Sequence, residues 1–189
     1  GDLPSGPDPE QLNINPSGNP VYFANEDDNL VTVIDLDTRE VLAEVPVGVV
    51  NLADRFDGRR VDAIAFEAMV AEVSALIAPF EAEHKFAPRV ARESAHLLGT
   101  SGTVTTLAGI KLGLPRYDRS RVDGVWLVTE EMRAVTYGLV AKTYEERIAE
   151  PCIGRDRADL VLAGCAILEA IRRAFPCPRL RVADRGLRE

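Results

Sequence analysis

The period of the chain changes at Gly48, and this change limits the fold more than any other feature. Before it, β-branched and aromatic runs alternate with polar breakers: "VYFA" at 21–24, "NEDDN" at 25–29, "LVTVIDL" at 30–36, "DTRE" at 37–40 and "VLAEVPV" at 41–47. Three such runs joined by two turns spell an antiparallel meander. Asp37 is placed to bond its own backbone in the tighter "DTRE" turn. After Gly48 the apolar residues recur at helical spacing. "VDAIAFEAMVAEVSALIAPFEAE" carries them at 61, 64, 65, 68, 69, 73, 76, 77 and 80, one buried face. Pro79 is predicted to end or kink that helix near Ala78.

Further along, "SAHLLGT" at 94–100 reads as a short buried strand and 102–113 as a helix closed by Gly113. "VDG" at 122–124 is a turn. Residues 129–150 are predicted as one helix, with Thr129 as N-cap and two glutamates in its first turn. Residues 157–175 are nearly all apolar and predict a central helix, and 179–186 give a last strand and turn. The order βββ-α-β-α-α-α-β predicts an α/β fold, with the N-terminal three-strand meander part of a mixed sheet covered by helices. Residues 1–19, rich in Pro and Gly, read as an irregular segment, and 20–189 as a single α/β domain.

With 189 residues, 46% of them hydrophobic, there is room for one core of ordinary size. A net charge of −8 argues against general nucleic-acid binding, which needs a basic face. No apolar run reaches the ~18 residues that span a bilayer, and no signal peptide opens the sequence. Neither nucleic acid nor membrane is expected as a partner. Cys152, Cys165 and Cys177 lack metal-site spacing, and free thiols suit a reducing, cytoplasmic location.

"LLGTSGTVTTLAG" carries the chemistry. A strand enters a Gly-Thr-Ser-Gly-Thr turn and leaves as a helix. Gly99 and Gly102 allow a tight bend and close backbone approach. The hydroxyls of Thr100, Ser101 and Thr103, with the free N–H groups of the helix start, suit an anion such as phosphate. The same residues also serve as plain turn chemistry. The loop is not a Walker A motif, because no Gly-Lys-Ser/Thr follows. Glu26, Asp27 and Asp28 of "NEDDN" are either an exposed polar turn or, with Asp35 joining Asp27 and Asp28, ligands for a hard cation. His84 and His96 have no Ser or Asp partner at catalytic spacing.

Residues 10–48, "INPSGNPVYFANEDDNLVTVIDLDTREVLAEVPVG" within them, resemble one repeat of the YVTN-type β-propellers. One copy cannot close a propeller, which needs about four blades. From residue 46 onward, "VGVVNLADRF", "LLGTSGTVTTLAGI", "VDGVWLV", "RDRADLVLAGCAILEAI" and "LRVADRGLRE" occur in the order that resembles the second lobe of the Ppx/GppA family, the exopolyphosphatases and guanosine pentaphosphate phosphohydrolases. The resemblance implies a ribonuclease-H-like (actin-like ATPase) lobe that meets a first lobe across a cleft, where terminal phosphates of polyphosphate or pppGpp are hydrolysed with Mg2+. It implies phosphate contact for Gly99 to Thr103 and for one arginine near Arg155 and Arg157. Arg157 is the candidate, and an exposed helix-start arginine, or one paired with Asp159, is the alternative.

The same resemblance places a water-positioning glutamate in the first lobe. It places a glycine-rich phosphate loop where this chain has "FANEDDNLV". A chain lacking both is expected to be inactive by itself, and a propeller-like hairpin is expected to complete the sheet beside the strand at 94–99. The alternatives are a non-catalytic binding or assembly module working through its β edge, as a homodimer or against a partner, and a chimeric chain without selected function.

Overall fold

The computed structural model describes residue 4 and residues 9–14, 21–25, 30–45, 48–85, 87–88 and 96–184. The first strands are β1 (Pro9–Ile14), β2 (Val21–Asn25), β3 (Leu30–Ile34) and β4 (Val41–Val45), a four-stranded antiparallel sheet in chain order. The three predicted runs are all strands, but residues 9–14, read as irregular, add a fourth. β1 pairs antiparallel with β2. Among the described residues no ladder joins this sheet to that strand, so the expectation of one common sheet is overturned.

The turn after β3 closes on the Asp35 carboxylate. The Asp35 carboxylate accepts from the N–H groups of Asp37 at 2.8 Å and Thr38 at 2.9 Å. Those bonds occupy it as a turn former. Glu26, Asp27 and Asp28 lie outside the described residues.

After β4 come α1 (Val49–Arg55) and α2 (Ala63–His84). α2 starts on Asp62, whose carboxylate accepts from Ala65 N–H at 2.8 Å. It runs through Pro79 to His84, against the predicted break. Its buried face is Phe66, Met69, Val70 and Val73, spaced i, i+3, i+4, i+7, and packs along α7 (Val161–Ala174). Ile64, counted in the predicted face, is 82% exposed. The helix is apolar nearly all round, so spacing alone does not select its inner side. Residues Ala63–Glu83, with mean hydropathy 1.7, are long and apolar enough to cross a membrane by length and composition, which the sequence reading did not count.

The second sheet has order β5-β7-β6: β5 (Leu97–Gly99) runs parallel to β7 (Arg179–Val182), and β6 (Trp126–Val128) antiparallel to it. Leu127, Leu180 and Val182 face the core with the apolar side of α7. α3 (Gly102–Lys111) follows β5, and Gly113, at φ 61°, closes it as predicted. α4 (Arg119–Val122) leads to Gly124, at φ 79°, and β6.

The helix expected over 129–150 is two: α5 (Thr129–Val140) and α6 (Tyr144–Ile148). Thr143 and Glu146 make a reciprocal capping box that restarts the chain, with Thr143 N–H donating to Glu146 at 2.8 Å and Glu146 N–H to the Thr143 hydroxyl at 3.3 Å. Thr129 is not the cap of α5. Its hydroxyl donates to Cys177 O at 3.2 Å, and Glu131 caps by accepting from Val128 N–H at 3.1 Å.

Charge ties α2, α5 and α7 together. Arg173 donates to Glu67 at 2.8 and 3.0 Å and to Glu169 at 2.8 Å, and Arg172 grips Glu169 at 2.7 and 2.8 Å. The Tyr137 hydroxyl donates to Glu67 at 3.0 Å. Burial opposes the charge on Glu169, yet the two guanidiniums outweigh it and hold the carboxyl below the usual glutamate range. The hydrogen bond from Arg173 does the same for Glu67. A depressed folded-state pKa contributes stability above the unfolded value of about 4.3, and the contribution is lost as pH falls through the folded value. The thermal midpoint is therefore expected to fall steeply below about pH 4, and Glu169→Gln to flatten that fall. An unchanged acid limb in the variant refutes this assignment.

All three cysteines are buried free thiols, and burial raises each above its ordinary range, Cys165 to about 12.

Candidate active site at the start of α3

β5 delivers the chain to Gly99, and α3 begins two residues after Thr100. Each residue of this turn has a distinct role. A Cβ on Gly99 would lie 2.7 Å from Val104 Cγ1, so this glycine lets the strand end pack on α3. Thr100 is half-buried, and Ser101 is exposed at the N-cap position without a side-chain capping bond. The first N–H groups of α3 have no carbonyl partner within the helix and carry the positive end of its dipole. The Thr105 hydroxyl donates back to Gly102 O at 3.1 Å.

Thr103 is turned inward. Its Oγ1 stands 2.0 Å from where a Cβ on Gly164 of α7 would be, so the threonine packs helix on helix. Gly164→Ala is expected to destabilise by about 1–2 kcal/mol, overpacking set against better helix propensity. Thr103→Ala should relieve much of that loss in the double variant, measured by denaturant unfolding. Strict additivity refutes the contact.

Arg157 completes the site. It ends the 3-10 turn Arg155–Arg157, which follows Gly154 at φ 72°. Its Nη1 lies 3.1 Å from the position a Cβ would take on Gly102, so the missing side chain lets the guanidinium lie over the helix start. Among the described residues no carboxylate pairs with it, Asp159 included. Arg157 lines two cavities. The first, of about 620 Å³, is walled by Gly99–Val104 and the apolar side of α7. The second, of about 490 Å³, sets Thr105, Tyr117 and Asp184 against Pro151, Cys152 and Ile153. Arg155 lines neither.

In the second cavity the Tyr117 hydroxyl donates to the Asp184 carboxylate, and Arg119 Nε donates to Asp184 O at 2.7 Å. Burial, then the Asp184 carboxylate, raise the Tyr117 pKa and keep its proton on.

The family model described as the Ppx/GppA phosphatase family matches residues 29–189. The chain belongs to the Ppx/GppA phosphatase family. Its fold resembles the PPX-GPPA enzyme of Aquifex aeolicus, with TM-score 0.64 and 21% identity over 96% of this chain and 56% of that one. It also resembles an exopolyphosphatase from Cytophaga hutchinsonii (TM-score 0.64, 21% identity, 98% of this chain and 56% of that one). An exopolyphosphatase-like protein matches at TM-score 0.67 and 21% identity, over 98% of this chain and 58% of that one. At this identity the likeness is one of fold, and the chain spans little more than half the length of these relatives. No curated protein matches the sequence.

The Ppx/GppA match starts at residue 29 and so takes in β3 and β4. The propeller likeness of residues 10–48 finds no support beside it. Magnesium, implied by the Ppx/GppA resemblance, needs several oxygen ligands. Among the described residues no three His, Cys, Asp or Glu side chains cluster, and the carboxylate of the second cavity is already engaged by Tyr117. The described donors do not make a magnesium site.

Sequence reading did not single out Tyr117, Thr105 or Asp184. Asp184 stands in "LRVADRG", where the family likeness was its one signal. Tyr117 is 67 residues away from it and has none. His96 makes an edge-on ring contact with Trp126 at 4.9 Å, and His84 ends α2. His96 is not among the residues lining the two cavities of the turn.

Proposed function

We propose that the chain is the phosphate-gripping part of a Ppx/GppA-type phosphohydrolase. It is a second lobe of ribonuclease-H-like, actin-like kind that holds a terminal phosphate of polyphosphate or guanosine pentaphosphate and hydrolyses little of it alone. The observation that carries this reading is the Arg157 guanidinium, without a carboxylate partner among the described residues, lying over Gly102 at the start of α3. Phosphoryl transfer is catalysed by positioning and by neutralising charge on the transferred oxygens. A planar guanidinium beside unpaired helix N–H groups supplies that grip. What it does not supply is a positioned water, which the resemblance assigns to a first lobe. The reading sets the chain in the cytoplasm, where its three thiols stay reduced.

Titration calorimetry with tripolyphosphate tests the grip. Arg157→Ala is expected to weaken binding about 10- to 100-fold, the loss of one or two charge-assisted hydrogen bonds. Arg157→Lys should recover part of it, because a point charge replaces the planar fork. With magnesium and polyphosphate, phosphate release is expected only when a first-lobe polypeptide is added. Equal affinity in the wild type and Arg157→Ala overturns the reading. A second reading, a non-catalytic assembly module, is favoured by β5, which pairs on one side alone among the described residues. Gel filtration showing a stable dimer that binds no tripolyphosphate would select it.

A further inference from the structure

The sheet β5-β7-β6 buries one face and leaves the other open. Alternation along the strands sends Leu127, Leu180 and Val182 inward. Between them, on the opposite face, Leu98 is 63% and Val128 41% exposed. The register sets Leu98, Arg181 and Trp126 on one rung and Arg179 opposite Val128 on the next. The Arg179 guanidinium lies 4.3 Å and the Arg181 guanidinium 5.1 Å from the centre of the Trp126 ring. His96 meets the same ring edge-on. Among the described residues neither arginine is paired with a carboxylate. Among the described residues the face is thus an apolar strip with unbalanced positive charge, and of these residues only Leu98 also lines a cavity of the turn.

Three strands about 4.8 Å apart make a strip roughly 10 Å wide, the width of an α-helix with its side chains. Such a flat strip lacks the concavity that encloses a small molecule. A phosphate chain would meet the arginines but leave Leu98 and Val128 wet. A second copy brought in by a twofold axis would set arginine against arginine. We propose that this face seats an amphipathic helix of a partner polypeptide, its apolar stripe on Leu98, Trp126 and Val128 and its acidic flank on Arg179 and Arg181. Apolar burial supplies the affinity, and charge complementarity selects the partner.

Trp126 is the chain's single tryptophan, so its emission reports this face alone. The probes are two tryptophan-free synthetic helices sharing one leucine stripe, one flanked by glutamates and one by lysines. The glutamate peptide is expected to produce a saturable blue shift at micromolar concentration, with the lysine peptide at least about tenfold weaker. Arg179→Glu with Arg181→Glu should reverse that preference. No shift with either peptide, or equal affinity for both, overturns the proposal. So does a shift that follows protein concentration without peptide, which assigns the face to self-association. A shift with tripolyphosphate alone that Arg157→Ala leaves intact assigns it to a polyanion and overturns it equally.

Discussion

Arg147→Met is expected to lower the stability of the chain by about 3–5 kcal/mol, seen as a shift in the urea midpoint at unchanged slope. The Arg147 side chain is among the largest fully buried ones, with 1% of the residue exposed. Its guanidinium donates to four backbone carbonyls: Gly58 O at 2.9 Å, Arg59 O at 3.1 Å, Ala158 O at 3.2 Å and Lys142 O at 3.2 Å. It also lies 5.9 Å from the centre of the Tyr144 ring. Burial draws its pKa below the ordinary arginine range, but arginine is too basic to shed its proton at neutral pH. The charge is therefore held by carbonyl dipoles. Methionine fills similar space and leaves those acceptors without a donor, each costing about 1–3 kcal/mol where water cannot replace it. Lysine has no fork to reach three segments at once and should recover less than half. Ala158 directly follows the turn that presents Arg157, so tripolyphosphate binding should weaken in Arg147→Met even where the chain stays folded. A loss below about 1 kcal/mol would mean that water reaches those carbonyls.

Gly58→Ala is expected to cost about 2–4 kcal/mol. A Cβ there would lie 2.0 Å from Asp159 O and 3.0 Å from its carbonyl carbon, with the Ala53 Cβ at 3.3 Å. The obstacle is backbone on one side and a buried helix residue on the other, so no rotamer change relieves it. The loop between α1 and α2 must retreat from the segment leading into α7, stretching the bonds that Arg147 makes to Gly58 and Arg59. Gly58→Ala and Arg147→Met should therefore be less than additive, because the second change removes bonds the first has already strained. Full additivity in the double variant would show the two contacts to be independent.

The turn at 99–103 and the nearly all-apolar α7 were legible because each is local: a glycine–hydroxyl run between a strand and a helix, and a run with almost no polar residue. Gly113 was legible for the same reason. β6 was missed as a strand because "WLV" is three residues long, too short for alternation to show. β1 was missed because "PEQLNI" has little β-branched content and takes its conformation from pairing with β2. The break between α5 and α6 is written in "TYEE", a capping box overlooked inside a helical run. The separation into two sheets was not legible, since it depends on which strand claims the free edge of β2. Arg147 could not be found from any pattern, since its partners are carbonyls that every residue carries.

The positions of the three thiols have a practical consequence. Cys152 lies beside Gly109 of α3, Cys165 sits mid-way along α7, and Cys177 comes just before β7. Alkylation at any of them requires the surrounding segment to open first, because the thiolate is both inaccessible and scarce at neutral pH. Followed by mass spectrometry, the labelling rates of the native protein would act as three separate clocks for local opening, without a single introduced residue.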